Sequence, residues 1–112
     1  MKLLIRNGRV VHPVTGTVEL QDILAEDGKI SLMEHGIAGE ADRVIDAAGL
    51  MVAPGLVDMH VHLRDPGLTY KEDILTGCAA AARGGVTAMA CMANTSPTVD
   101  TPEQVAYVLD RA

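Results

Sequence analysis

Asp58-Met59-His60-Val61-His62-Leu63-Arg64 holds the densest concentration of chemically useful side chains in the chain. Two imidazoles stand two residues apart at the end of an apolar run, Leu50 to Val57. Side chains alternate across a β-strand, so a strand here puts Asp58, His60, His62 and Arg64 on one face. Neutral imidazoles suit a divalent metal, and a guanidinium beside them suits an anionic ligand. In a buried strand, unpartnered imidazoles would be costly, and a metal is a natural partner. The pattern points to a hydrolytic metal site. The alternative is a pair of histidines on the polar face of an edge strand.

Other residues can be ranked around this pair. Arg64 reads as a bidentate clamp on a substrate carboxylate, or else as a rim salt bridge with Asp65 or Asp73. Asn94, in Met92-Ala93-Asn94-Thr95-Ser96-Pro97, either starts a turn before Pro97 or reaches the same pocket from a neighbouring strand. Spacing alone leaves both open. Asp58 reads as a supporting carboxylate, accepting a hydrogen bond from a ligand imidazole or from nearby backbone. Asp65, Glu72 and Asp73 read as loop and helix-start carboxylates, with no evident general base among them. His12 and His35 adjoin turn residues and read as solvated loop histidines.

The elements that must position these residues fall into two textures. From Met1 to about Ala53, short β-type runs (Leu3 to Ile5, Val10-Val11, Val18 to Ala25, Lys29 to Met33, Val44-Ile45) are separated by turn residues. Asn7-Gly8 and Asp27-Gly28 have hairpin chemistry. The expectation is a small antiparallel sheet, one layer of a sandwich. After Pro54-Gly55 the pattern becomes strand, helix, strand, helix. Leu56 to His62 is the first strand. Thr69 and Glu72 fit a capping box, followed by an apolar stripe at Ile74, Leu75, Cys78, Ala79 and Ala82, with Gly84-Gly85 as the stop. Val86 to Met92 reads as a strand buried on both faces. Thr101-Pro102-Glu103-Gln104 opens a second helix, with Val105, Val108, Leu109 and Ala112 as its apolar face. Strands alternating with helices imply βαβ units and a parallel sheet.

Bulk properties narrow the function class. The 112 residues are 48% hydrophobic but contain no Phe or Trp and only Tyr70 and Tyr107. Any core is therefore aliphatic. A net charge of −6 without a basic cluster argues against nucleic acid. Cys78 and Cys91 have no metal-binding spacing and read as buried free thiols of a reducing cytoplasm. The apolar start Met1 to Ile5 is interrupted at Arg6, which argues for a first strand of a soluble protein rather than a signal or membrane segment.

Taken together, these residues resemble the amidohydrolase superfamily and, within it, the class I dihydroorotases. The resemblance runs from Val52 to about Asp100. It is carried by the stretch Ala53 to Gly67 and by Tyr70-Lys71-Glu72-Asp73-Ile74. It continues through Thr76-Gly77, the stretch Ala81 to Thr87, and Met92 to Pro97. Two positions depart from the family pattern: Ala93 stands where proline is usual, and Asp65 where glutamate is common. The first half is similar, less specifically, to the N-terminal part of the accompanying β-sandwich.

The resemblance implies an α/β fold. Residues 1–53 would begin a small β-sandwich domain, and residues 54–112 would form the first two βα units of a metal-dependent (β/α)8 TIM barrel. It implies a zinc site, two ions in the complete enzyme, with His60 and His62 as ligands and Arg64 and Asn94 binding the substrate carboxylate. The implied reaction is reversible hydrolysis of (S)-dihydroorotate to N-carbamoyl-L-aspartate in pyrimidine synthesis. Partners would be that small anionic substrate and, for the whole protein, identical copies, with neither nucleic acid nor membrane. The remaining ligands and a proton-shuttling aspartate would lie beyond Ala112, so no catalytic residue falls within the chain. A barrel needs roughly 250 residues, so the expectation is an N-terminal fragment, inactive alone. Allantoinases and hydantoinases share His-x-His, and Arg64 separates the chain from them. A non-catalytic scaffold subunit is the alternative of a different class.

Overall fold

Gly28 marks the tightest turn of the first half, and the strands around it organise that half. The computed structural model describes all 112 residues, which form two compact units, Met1–Pro54 and Gly55–Ala112.

In the first unit, β1 (Lys2–His12), β2 (Thr17–Glu26) and β3 (Lys29–Glu34) form an antiparallel meander. Asp27 and Gly28 join β2 to β3 with φ of 49° and 80°, the left-handed pair that a tight hairpin requires. The other two strands correct the antiparallel expectation. β4 (Arg43–Asp46) and β5 (Met51–Val52) both pair with β1 in parallel, along Leu3 to Arg6 and Arg9 to Val10 respectively. The result is a five-stranded mixed sheet.

Asn7-Gly8 is not a hairpin turn but a bulge inside the long strand β1. The register shifts between Ile5 and Gly8, and Asn7 takes φ 61°. Its backbone N–H, turned out of the ladder, donates to Asp22 Oδ1 at 2.8 Å, and its Nδ2 donates to Asp46 Oδ1 at 3.0 Å. With that donor satisfied, the strand continues past the bulge. A Cβ at Gly8 would lie 2.6 Å from Val52 Cγ2, so the close approach of β5 requires glycine there. Leu4, Val10, Ile23, Ile37 and Ala47 form the core, with buried Asp22 also accepting from the Ile37 N–H at 2.9 Å. His12 ends β1 and its Nε2 meets Gln21 Oε1 at 3.0 Å, so it is half-buried rather than a solvated loop residue. His35 is exposed in a turn.

In the second unit, β6 (Leu56–Val61) pairs in parallel with β7 (Val86–Cys91), with α1 (Ile74–Arg83) between them and α2 (Pro102–Arg111) following. Helix α1 starts one turn later than the Thr69 cap predicts. Residues 68–71 are held in a turn by Lys71 N–H donating to the Leu68 carbonyl at 2.9 Å. Asp73 is the N-cap, its carboxylate accepting from Thr76 N–H at 2.8 Å while the Thr76 hydroxyl answers the Asp73 N–H. Ile74 then falls at N1, fully buried. Gly85, at φ 83°, provides the left-handed exit. Thr101 and Pro102 open α2 as expected.

Burial departs from expectation as well. Leu56, Val57 and Met59 of β6 are exposed, as are Leu75, Val105 and Leu109 of the helices, and β7 is buried on neither face throughout. Two strands with two helices cannot enclose both faces of a sheet.

Candidate functional site

Parallel pairing sets the C-terminal ends of β6 and β7 side by side, and the chemistry collects there. The ladder runs past the strands proper: Met92 N–H donates to the Val61 carbonyl at 2.8 Å. His62, one residue beyond β6, and Asn94, three beyond β7, are thereby brought together although 32 residues apart.

His60 and His62 share a face as their spacing predicts. Their ring centres are 5.2 Å apart, edge to face at 63°. A zinc–nitrogen bond of about 2.0–2.1 Å puts a ring centre roughly 3.2 Å from the metal, so two imidazoles at a tetrahedral angle have centres about 5 Å apart. The observed separation is compatible with two ligands of one ion. His62 Nδ1 lies 2.9 Å from Asn94 Oδ1. An amide oxygen only accepts, so in the neutral ring Nδ1 carries the hydrogen and Nε2 keeps its lone pair. That is the tautomer a metal-ligating Nε2 needs, fixed from outside the ligand pair. No cluster of three or more His, Cys, Asp or Glu side chains with metal-holding spacing occurs in the chain. The two imidazoles are candidate ligands, and the chain places no third beside them.

Asp58 takes the backbone alternative. Its Oδ1 accepts from His60 N–H at 3.0 Å, which steadies the strand where the first imidazole emerges.

Arg64 requires a correction. Strand β6 ends at Val61 and Arg64 adopts φ 62°, so the two-residue alternation does not extend to it. Nor does it pair with Asp65 or Asp73: the ion pairs of the chain are Met1–Asp27, Lys2–Glu26 and Arg111–Asp65. Arg64 is half-buried, and its guanidinium takes part in none of these pairs.

Asp65 is the residue that motif reasoning passed over. It is not a solvated loop carboxylate but 3% exposed. Its Oδ1 accepts from Tyr107 Oη–H at 2.8 Å and its Oδ2 from Arg111 Nε–H at 3.0 Å. The Asp65 carboxylate and partial burial hold the Tyr107 phenol above its ordinary pKa. One signal was available: Tyr107 and Arg111 stand four residues apart on one face of α2, two long polar-tipped side chains in register.

A family model described as dihydro-orotase-like matches residues 49–112. The chain is 55% identical over 113 residues to a dihydroorotase of Geobacter sulfurreducens, a match covering 100% of this chain and 27% of that protein. It is 54% identical over 110 residues to a dihydroorotase of Streptococcus pneumoniae, covering 98% and 26%. The chain thus spans about a quarter of the length of these relatives. Among solved structures, an L-hydantoinase (dihydropyrimidinase) from Arthrobacter aurescens matches with TM-score 0.78 and 32% identity over 94% of this chain and 23% of that one. A dihydropyrimidinase from Brevibacillus agri matches with TM-score 0.79 and 32% identity over 100% and 24%.

Proposed function

The chain belongs to the dihydro-orotase-like family, and we propose on that basis that it supplies two metal ligands and the carboxylate clamp of a zinc-dependent cyclic amidohydrolase. The substrate pair is (S)-dihydroorotate and N-carbamoyl-L-aspartate, with pyrimidine synthesis in the cytoplasm as the setting. The observation that carries this reading is the His60–His62 pair at 5.2 Å with its tautomer fixed by Asn94, inside the matched segment. In this reading β6-α1-β7-α2 is the opening of a (β/α)8 barrel whose active site forms at the strand C-termini.

The reaction adds water across a ring amide. The carbonyl carbon gains oxygen and becomes a carboxylate, the C–N bond breaks, and the nitrogen takes a proton. Zinc, when bound, polarises the carbonyl and lowers the pKa of water beside it. The chain's residues serve that chemistry by holding and orienting. His60 and His62 present ring nitrogens, with Asn94 fixing the proton on His62 Nδ1. The Arg64 guanidinium, in none of the chain's ion pairs, takes the ring carboxylate through its two-pronged donors. Asn94 Nδ2 carries two hydrogens that His62 does not use, and they can donate to the same carboxylate. No helix is long and apolar enough to cross a membrane.

Hydantoin hydrolysis is the second reading, favoured by the hydantoinase structures. It gives Arg64 no carboxylate to bind, whereas dihydroorotate carries one. The experiment is steady-state turnover of dihydroorotate against hydantoin and dihydrouracil by the full-length protein. Preference for dihydroorotate that collapses in an Arg64→Met variant supports the proposal. Equal turnover of the uncharged rings would favour the second reading.

A further inference from the structure

Arg64 holds a backbone conformation that a long side chain rarely adopts, φ 62°. Such a residue persists only when its surroundings over-determine it. The neighbouring contacts show what does so. Before it, Leu63 is 5% exposed and lies against α1 so closely that a Cβ at Gly77 would be 2.5 Å from Leu63 Cδ2. After it, Leu68 N–H donates to the Arg64 carbonyl at 2.9 Å, and Ser96 N–H donates to the Pro66 carbonyl at 3.1 Å. Between these, the Asp65 side chain is 1% exposed, with one oxygen on Tyr107 and the other on Arg111.

The Asp65 contact differs from the rest in kind. It is the sole ionic one, it is buried on the carboxylate side, and it ties the loop to a helix 42 and 46 residues further along the chain. Backbone bonds and apolar packing would hold the loop near α1 and the β7 exit. The two-pronged hold on Asp65 fixes that side chain, one residue from Arg64. Tyr107 and Arg111 stack as well, the guanidinium 5.7 Å from the ring centre, so the donors support one another.

We propose that Asp65, gripped by Tyr107 and Arg111, is a positioning residue that sets where the Arg64 guanidinium stands and thereby the affinity for an anionic substrate. The inference rests on the proposed carboxylate role of Arg64. Helix α2, which contributes no group to the metal pair, then acts on substrate binding through this carboxylate.

The test is a double-mutant cycle on the zinc-loaded full-length protein with dihydroorotate, comparing wild type, Tyr107→Phe, Arg64→Met and the double variant. Tyr107→Phe removes one hydroxyl at a half-exposed position, and Asp65→Asn keeps shape and the tyrosine partner while removing the ion pair. Each is expected to raise KM about fivefold with kcat within about twofold and zinc content unchanged, as for loss of orientation alone. In the Arg64→Met background Tyr107→Phe should raise KM no further. An equal effect in both backgrounds, or an unchanged KM in Tyr107→Phe, overturns the proposal and leaves Asp65 a purely structural tie. Should Asp65→Asn fail to fold, the Tyr107→Phe cycle decides alone. A wild type that does not turn over dihydroorotate overturns the proposed function and this inference with it, an outcome distinct from a failed cycle.

Discussion

Asn94→Ala removes the one contact that fixes the proton on His62. The bond is short, 2.9 Å, and runs between neutral groups, so its net value is about 0.5–1.5 kcal/mol. At about 1.4 kcal/mol per tenfold, zinc affinity should fall about two- to tenfold. Supports of this kind around ligating histidines typically contribute about 10–100-fold. Asn94 is exposed, so water can replace the amide in part, and the lower range applies. Asn94→Asp separates the two duties of the residue. A carboxylate accepts from His62 more strongly than an amide, so zinc affinity is kept or raised. The same negative charge repels an anionic substrate, so KM should rise further than in Asn94→Ala. The assay is titration of the metal-free full-length protein with zinc against a competing chelator, with the 15N shifts of His62 reporting its tautomer before metal is added. Unchanged zinc affinity together with an unchanged tautomer in Asn94→Ala would refute the argument.

Other expectations follow from separate parts of the molecule. Arg64→Met should raise KM for dihydroorotate at least about tenfold, as for loss of a charged hydrogen-bonding partner, with zinc content intact; unaltered kinetics would remove the clamp. Asp22→Ala leaves the Asn7 and Ile37 N–H groups without their acceptor and should destabilise by about 2–6 kcal/mol in urea titration, since each of the two orphan donors costs about 1–3 kcal/mol. A loss below about 0.5 kcal/mol would mean that water reaches both donors. The backbone N–H of Thr76, and then its hydroxyl, hold the Asp73 carboxyl below its ordinary value of 3.8. A depressed folded-state value stabilises above the unfolded value and is lost as pH falls through the folded one. The helical signal of wild type should therefore fall in acid below about that ordinary value more steeply than in Asp73→Asn, followed by circular dichroism; matching acid profiles would show that the cap contributes nothing.

Much of the second unit was legible because its signals are local. Apolar periodicity, Pro54-Gly55, Gly84-Gly85 and Thr101-Pro102 mark element boundaries in a few residues each. His60 and His62 were legible for the same reason, since two-residue spacing needs only a strand. Asn7-Gly8 was misread because a bulge and a hairpin demand the same left-handed geometry; what decides between them is Asp22, 15 residues away. Thr69 lost to Asp73 because both can cap, and the choice depended on a turn already occupying residues 68–71. The parallel pairing of β4 and β5 with β1 leaves no mark in four- and two-residue strands. Burial of Asp65 was invisible because its partners lie on another element, 42 and 46 residues on. The extension of the strand period to Arg64 failed where β6 ended, three residues short of it.

The central claim is that His60 and His62 hold zinc for hydrolysis of a carboxylate-bearing cyclic amide. It is tested most directly by metal-stripping the full-length protein and following dihydroorotate turnover as zinc is restored, alongside His60→Ala and His62→Ala. The account predicts turnover that vanishes with the metal, returns in proportion to bound zinc, and fails to return in either variant. Full turnover in the stripped protein, or zinc-restored turnover in both histidine variants, would contradict it.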